Sequence, residues 1–425
     1  MGSPFFSIII PTRNRYETLP YALITVLKQE FGSFELIVSD NSDEANLGGA
    51  GSIRSYLQDP RVKYVRPPSV LPMSDHWEFA VSQATGEYII VFGDDDGLVE
   101  GSLGYIHDIF QKTAAQLVSW FRVEYSWPDR LPAGLANMMI IPHTVKTGLI
   151  DAEKYIKGII AHKEDYRTLP MLYNSAVSRQ LIQTLKDRTG RIFNAVSPDI
   201  YSGFAFAHLT KHYISVGRPL SINGVSAKSN GAAHANNSRN ETRTDFWELL
   251  KKSEIRWPEE LPEMITAYIG VVEPFIQLRR HFPELEAYIT RKQIYRYIIS
   301  RLSGDSEEEI AAFKQKLLES AGQDHDFRTW VEGQLRRAKP TIGPGPERPA
   351  GYADEIGFNG SRLLLDGSHF GLANVYDVSV FISHLFGNYK SVDFLRPVTT
   401  PLQERIRKAA GMILRPAHRD GRMWQ

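Results

Sequence analysis

The chain has 425 residues, 42% of them hydrophobic and 23% charged, enough for about two or three domains that each bury a core. Lys plus Arg and Asp plus Glu each number 49, so the net charge is zero, which argues against the basic excess of a dedicated nucleic-acid binder. The absence of cysteine excludes disulfides, thiolate zinc sites and a cysteine nucleophile, and it fits a reducing compartment.

Phe6-Ser7-Ile8-Ile9-Ile10 is a continuous β-branched run stopped by Pro11, the pattern of a strand buried on both faces. Leu19, Leu23, Val26 and Leu27 follow at helical spacing. Glu35-Leu36-Ile37-Val38-Ser39 predicts a second buried strand, ending at the turn cluster Asp40-Asn41-Ser42. Val62 to Val65 is a shorter, peripheral strand, and Trp77, Ala80 and Val81 mark a helix closed by Gly86. Glu87 to Phe92 is the next strand, running into Gly93-Asp94-Asp95-Asp96-Gly97. Strands alternating with helices of this length imply βαβ units and a mostly parallel sheet, with ligands at the carboxyl ends of the strands. Asp40 and the aspartate triplet lie at such ends and should converge on one crevice.

Further on, Leu117 to Phe121 reads as a strand, Arg130 to Pro142 as an irregular insertion and Asp151 to Ile160 as a helix. From about Thr242 the texture becomes helical: Phe246, Leu249 and Leu250 open it, Ile294, Ile298 and Leu302 continue it, and Ser306 with Glu309 forms a capping box before Ile310, Phe313 and Leu317. Pro340 to Pro346 is the clearest linker, and Arg362 to Leu365 with Ser379 to Ile382 suggests a small closing subdomain. The expected organisation is therefore 1–238 as an α/β domain, 239–340 as a helical region and 341–425 as a small C-terminal subdomain.

Three consecutive aspartates between glycines at a strand end are the most informative feature. Like charges crowded together cost free energy unless a cation offsets them, and Mg²⁺ or Mn²⁺ takes one or two carboxylates together with a substrate's phosphates. The plainer reading is a solvated acidic turn; following directly on a buried strand, the triplet points instead to a metal-bound diphosphate. Pro11-Thr12-Arg13-Asn14-Arg15 puts two guanidinium groups and an amide where a helix begins, which suits an anionic or heterocyclic ligand, although Thr and Asn also serve as ordinary N-caps. Asp40 is either a nucleobase acceptor or a turn residue. Asp199, in Ser197-Pro198-Asp199-Ile200-Tyr201-Ser202, is either a first-turn acid of a helix or a general base delivered from far along the chain. His208 and His212 are four residues apart but lack the glutamate of a zincin, and we read them as structural.

In this order, the elements resemble the inverting GT-A glycosyltransferases of family 2, bacterial type. Ser7 to Arg15 looks like the family's opening strand and nucleotide loop, Glu35 to Ser42 like its second strand with the base-binding acid, Gly86 to Asp96 like the approach to its DXD motif, and Ser197-Pro198-Asp199 like the place of its catalytic base. The resemblance covers about residues 5–235 and implies a GT-A (Rossmann-like) nucleotide-diphospho-sugar transferase domain, followed here by a mainly helical extension. It implies that Pro11, Thr12, Arg13, Asn14, Arg15 and Asp40 hold the nucleotide, with Asp75, Asp94 and Asp95 on the donor side. It further implies that Asp96, joined by His234 of the post-catalytic loop, binds Mn²⁺ or Mg²⁺, and that Asp199 is the general base. Many relatives carry Asn where His76 stands.

The implied reaction moves a sugar from a nucleoside diphosphate to a hydroxyl of a glycan or lipid-linked acceptor, in bacterial surface polysaccharide or glycoconjugate synthesis. Two other readings remain open: a nucleotidyltransferase making sugar nucleotides, and a non-catalytic glycan-binding protein that kept the fold. No apolar run approaches the roughly 18 residues of a membrane span and Met1 to Pro4 has no basic n-region, so a cytoplasmic location is expected. The last 24 residues carry six Lys or Arg against two acids, which suits a solvated terminal helix, docking on a second subunit in a homo-oligomer, or peripheral contact with an anionic inner membrane face.

Overall fold

The computed structural model describes residues 3–45, 52–130, 133–142, 147–161, 163–229, 241–263, 269–300, 302–304, 306–342, 356–358 and 362–387. Its centre is a mixed sheet. Four parallel strands come first: β1 (Phe6–Thr12) pairs on one side with β2 (Phe34–Asp40), which pairs with β3 (Val62–Val65), and on the other side with β4 (Tyr88–Val91). The short β5 (Gly97–Leu98) follows the triplet. The sheet then continues with β6 (Leu117–Ser126), β7 (Met138–Pro142), β8 (Gly148–Asp151), β9 (Ser175–Ser178) and the long β10 (His212–Val225). β9 joins β4 to β6 by antiparallel pairing, and β10 runs parallel to β6 while collecting β5 and β8 antiparallel.

Continuous apolarity in β1, β2 and β4 has a direct cause: alternate side chains feed two different cores. Ile9, Ile37, Ile89 and Val91 enter one core, while Ile8, Ile10, Leu36, Val38 and Ile90 enter the other. Removing such a side chain from water contributes roughly 1.5–3 kcal/mol, so both faces must be covered. The second core is covered by α1 (Leu19–Leu27) and α3 (Ser102–Lys112). The first is covered by α2 (Met73–Ser82), α4 (Ala152–Ile160), α5 (Arg179–Thr189) and α6 (Pro198–Thr210). Asp151 caps α4 by accepting the Lys154 N–H.

α6 is apolar all round, and every residue from Ile200 to Ala207 is buried, as befits a helix sandwiched between sheet and extension. The extension consists of α7 (Glu241–Leu250), α8 (Ile269–Arg279), α9 (Arg291–Ser300), α10 (Glu307–Ser320) and α11 (His325–Arg337). Ser306 caps α10 through the Glu309 N–H, as the capping-box motif predicts. α8 lies on α6, with the Phe204 and Phe275 rings edge to face at 5.3 Å, and the extension shares one core with the sheet's first face.

One expectation is corrected. The insertion expected to be irregular at 130–142 contains β7, whose Met139 and Ile141 are fully buried. In the segment expected to form a small C-terminal subdomain, β12 (Thr341–Ile342) pairs with β11 (Ser303–Gly304), while β13 (Gly357–Phe358) and β14 (Arg362–Asp366) extend the central sheet through β7. α12 (Val375–Phe386) then packs into the second core beside α1, with Ser379 donating to the Leu98 carbonyl at 2.8 Å. The cause is one of area: β7 and the outer face of α1 are apolar, and only a distant part of the chain carries the strand and helix that cover them. Among the described residues no helix is long and apolar enough to cross a membrane.

Candidate active site

Thr12 and Asp40 are the last residues of β1 and β2 and face each other in register. The loop after β1 turns sharply, with Asn14 at φ 56°, a left-handed conformation that asparagine tolerates better than most residues. Its N–H reaches the Ser42 hydroxyl at 2.8 Å and its side-chain amide reaches Asp43 at 2.8 Å, so the ends of β1 and β2 are locked together. Asp40 is fully buried. It accepts from the Tyr16 and Tyr64 hydroxyls, each at 2.5 Å, and from the Ser42 N–H at 2.9 Å. Burial alone would raise its pKa, but these hydrogen bonds outweigh burial and hold it below the usual carboxylate range. The Asp40 carboxylate is thus tied to Tyr16, Tyr64 and Ser42 at the end of β2.

The triplet is also turned into the protein. Asp94 accepts from the Thr12 hydroxyl at 2.6 Å and from Arg15 at 3.0 Å. Asp95 lies 3.8 Å from Arg15 and accepts from the Ser226 hydroxyl at 2.7 Å and from the Ser229 hydroxyl. Asp96 takes two backbone N–H groups, from Gly93 and Gly224, each at 2.8 Å. Burial raises the pKa of Asp96 and the charge of Asp95 raises it further; burial also raises that of Asp94, against the opposing charge of Arg15. Such a site gains from a cation. Among the described residues no three acidic or histidine side chains are arranged to hold a metal by themselves. A hard cation here would take one or two carboxylates and complete its shell with phosphate and water.

Gly224 explains how β10 comes so close. A Cβ there would lie 1.7 Å from the Asp95 carbonyl oxygen and 2.7 Å from Trp127 Nε1, which itself donates to that carbonyl at 2.9 Å. Gly224→Ala should therefore cost at least about 3 kcal/mol of stability, read as the shift in a denaturant midpoint, because the obstruction is backbone that cannot step aside.

Asp199 stands half-buried in the first turn of α6. Burial pushes its pKa up, against the charge of Arg122 on β6. The charge of Arg122 also opposes the upward shift at Asp96, and its side chain donates to Asn223 at 3.3 Å. Tyr173, in the turn before β9 that packs against β4, β6 and α6, is held protonated first by burial and then by the charges of Asp96, Asp199, Asp95 and Asp94. Neither Arg122 nor Tyr173 was expected from the sequence. A guanidinium directly after the apolar run Leu117 to Phe121 of β6 was the available signal for Arg122; for Tyr173 there was none.

Other expected residues are placed differently. Arg13 is paired with Asp43 at 3.4 Å and with Asp245 of α7. The Asp75 carboxylate pairs with Arg191, not with the triplet. His208 donates to Glu284 at 3.0 Å while His212 opens β10, so the pair does not form a metal site. His234, the linker beyond Ile342 and the basic tail lie outside the described residues.

His76 is buried on α2 against the Ser39 hydroxyl at 2.9 Å, and burial lowers its pKa to about 4. A histidine kept neutral in the fold binds fewer protons than the unfolded chain below pH 6.5, so stability is lost as pH falls toward 4. Between pH 7 and pH 5 wild type should lose about 2 kcal/mol relative to His76→Asn, measured by denaturation at both pH values.

Residues 7–171 match the family model described as Glycosyl transferase family 2. That stretch is similar to the family, and the α/β architecture is the GT-A arrangement expected from the sequence. A GalNAc(5)-diNAcBac-PP-undecaprenol beta-1,3-glucosyltransferase of Campylobacter jejuni is 32% identical over 103 residues, 24% of this chain and 32% of that protein. A PGL/p-HBAD biosynthesis glycosyltransferase of Mycobacterium bovis is 33% identical over 101 residues, 24% of this chain and 39% of that protein. The matches thus span about a third of these relatives' length. Among solved structures, S. aureus TarS 1-349 in complex with UDP-GlcNAc aligns over 78% of this chain and 91% of that one, at TM-score 0.44 and 15% identity.

Proposed function

We propose that the chain is a glycosyltransferase that moves a sugar, with inversion, from a nucleoside diphosphate to a hydroxyl of a glycan or lipid-linked acceptor. The observation that supports this reading is the packing of the turn 172–174, which carries Tyr173, against both β4, whose end leads to the triplet, and α6, whose first turn holds Asp199. The family match over residues 7–171 supports the reaction class.

The residue roles follow from the chemistry. Thr12, Asn14 and Arg15, with Arg13 once freed from Asp245, border the nucleotide, and Pro11 ends the strand that presents them. Asp40 acts by fixing Tyr16 and Tyr64 beside the base. Asp94 and Asp95 hold Arg15 toward the diphosphate, where a guanidinium offsets charge developing on the leaving group. Asp96, helped by Asp94, would hold Mn²⁺ or Mg²⁺, with His234 as a candidate further ligand; a bound divalent cation supplies charge that offsets the diphosphate. Asp199 takes the proton of the acceptor hydroxyl as its oxygen attacks the anomeric carbon opposite the leaving group. A carboxyl whose pKa is raised by burial is a stronger base than an exposed one. Three segments serve this scheme: 1–238 as the transferase unit, 239–340 as a brace behind it and 341–425 as its closing part, with the basic tail resting on the inner membrane face beside a lipid-linked acceptor.

Incubation with a panel of nucleoside-diphosphate sugars, Mn²⁺ and acceptor glycans tests this. Free nucleoside diphosphate and a product of inverted anomeric configuration are expected. Pyrophosphate release would overturn the proposal in favour of a nucleotidyltransferase.

A further inference from the structure

The loop 191–197 leads directly into α6 and therefore sets where Asp199 stands. It is gripped from two sides. From α2, Glu78 accepts the Ile192 and Phe193 N–H groups at 2.9 and 3.3 Å, and Ser74 donates to the Ala195 carbonyl at 2.6 Å. From α8 of the helical extension, Glu273 accepts the Val196 N–H at 3.1 Å. Glu273 is 1% exposed, inside a helix and next to Pro274. Its other oxygen accepts from Gln277 at 2.9 Å, and Gln277 is in turn fixed by donating to the Arg256 carbonyl at 2.8 Å.

A buried carboxylate is an expensive way to fill an apolar helix face, since the charged form loses its hydration. Burial indeed pushes Glu273 up to about 7. A Leu at this position would pack without that cost. What the carboxylate supplies is a fixed acceptor for one backbone N–H three residues before Asp199, from a different element than the α2 groups that hold residues 192, 193 and 195.

We infer that Glu273 is a positioning residue for the Asp199 carboxylate, making the helical extension part of the catalytic apparatus rather than an appendage. The inference rests on the proposed transferase reading, in which Asp199 is the base. Donor contacts lie at the ends of β1, β2 and β4 and do not touch Glu273, so loss of the anchor should move chemistry and leave donor binding alone.

The test compares wild type, Glu273→Ala and Glu273→Gln in the full chain. Three readouts are taken: amide hydrogen exchange over 192–199, donor affinity with Mn²⁺, and the kcat and KM of transfer. Glu273→Ala should speed exchange at Val196 to Asp199 and lower kcat about ten- to a hundredfold, as expected when a reacting group drifts by an ångström. Donor KM and affinity should stay within about twofold, a split that general loss of fold would not give. Glu273→Gln keeps an amide oxygen as acceptor and should restore most of kcat; it also serves if Glu273→Ala fails to fold. Unchanged exchange in the Ala variant, or equal losses in kcat and donor affinity in either variant, overturns the inference while leaving the transferase reading intact. If wild type transfers no sugar at all, that reading fails and the positioning role falls with it.

Discussion

Asp199→Asn should lower kcat for sugar transfer by about a thousandfold while leaving donor affinity within about twofold of wild type. The substitution keeps the volume and the start of α6 but removes the only proton acceptor assigned to the acceptor hydroxyl. Binding groups at the ends of β1, β2 and β4 are untouched. The pH dependence carries a second signature. A base works only when deprotonated, so activity should fall as pH drops through its pKa, and burial moves that limb above the ordinary aspartate range. The limb should vanish from the residual activity of Asp199→Asn. Normal turnover by this variant would sink the assignment, and donor titration by calorimetry separates lost chemistry from lost binding.

Asp96→Ala should weaken donor binding in the presence of Mn²⁺ by at least about a hundredfold. Removing a group that merely orients a metal ligand costs about 10–100-fold in metal affinity, so loss of the ligand itself should cost more. The substitution also orphans the Gly93 and Gly224 N–H groups that Asp96 holds, so a folded, binding-deficient protein must be verified by its thermal midpoint. Asp96→Asn retains one acceptor and nearly the same volume, and it should fold better while binding Mn²⁺ poorly. If either variant bound donor with unchanged Mn²⁺ dependence, the cation would have to sit elsewhere.

Much of this architecture was legible because it is written locally. Ile8-Ile9-Ile10 and Leu36-Ile37-Val38 must be strands covered on both faces, and their ends must carry Thr12 and Asp40, whatever the rest of the chain does. Asp199 was legible through Pro198 and the apolar helix behind it. What escaped depends on partners far away in sequence. Nothing near Asp40 says that Tyr16 and Tyr64 will take its carboxylate, and nothing near Asp75 says that Arg191 will claim it instead of a donor. The strand at Met138 to Pro142 was hidden by the Pro and Gly residues before it and by a mate that arrives only at Arg362. Tyr173 belongs to the same class: its surroundings come from β4, β6, α6 and Trp77 of α2, and no spacing rule links those segments.

The far end of the chain has a consequence for how this protein is made. The N-terminal sheet displays β7 as an open edge, and α1 an uncovered apolar side, until residues 362–386 have been synthesised and docked. On the ribosome the nascent transferase unit must wait through the whole helical extension with a sticky border unprotected, a period in which chaperones or self-association compete for it. Stopping translation shortly after Ile342 should therefore yield aggregate rather than a smaller enzyme, and supplying the missing strand and helix as a separate peptide is the natural route to rescuing it.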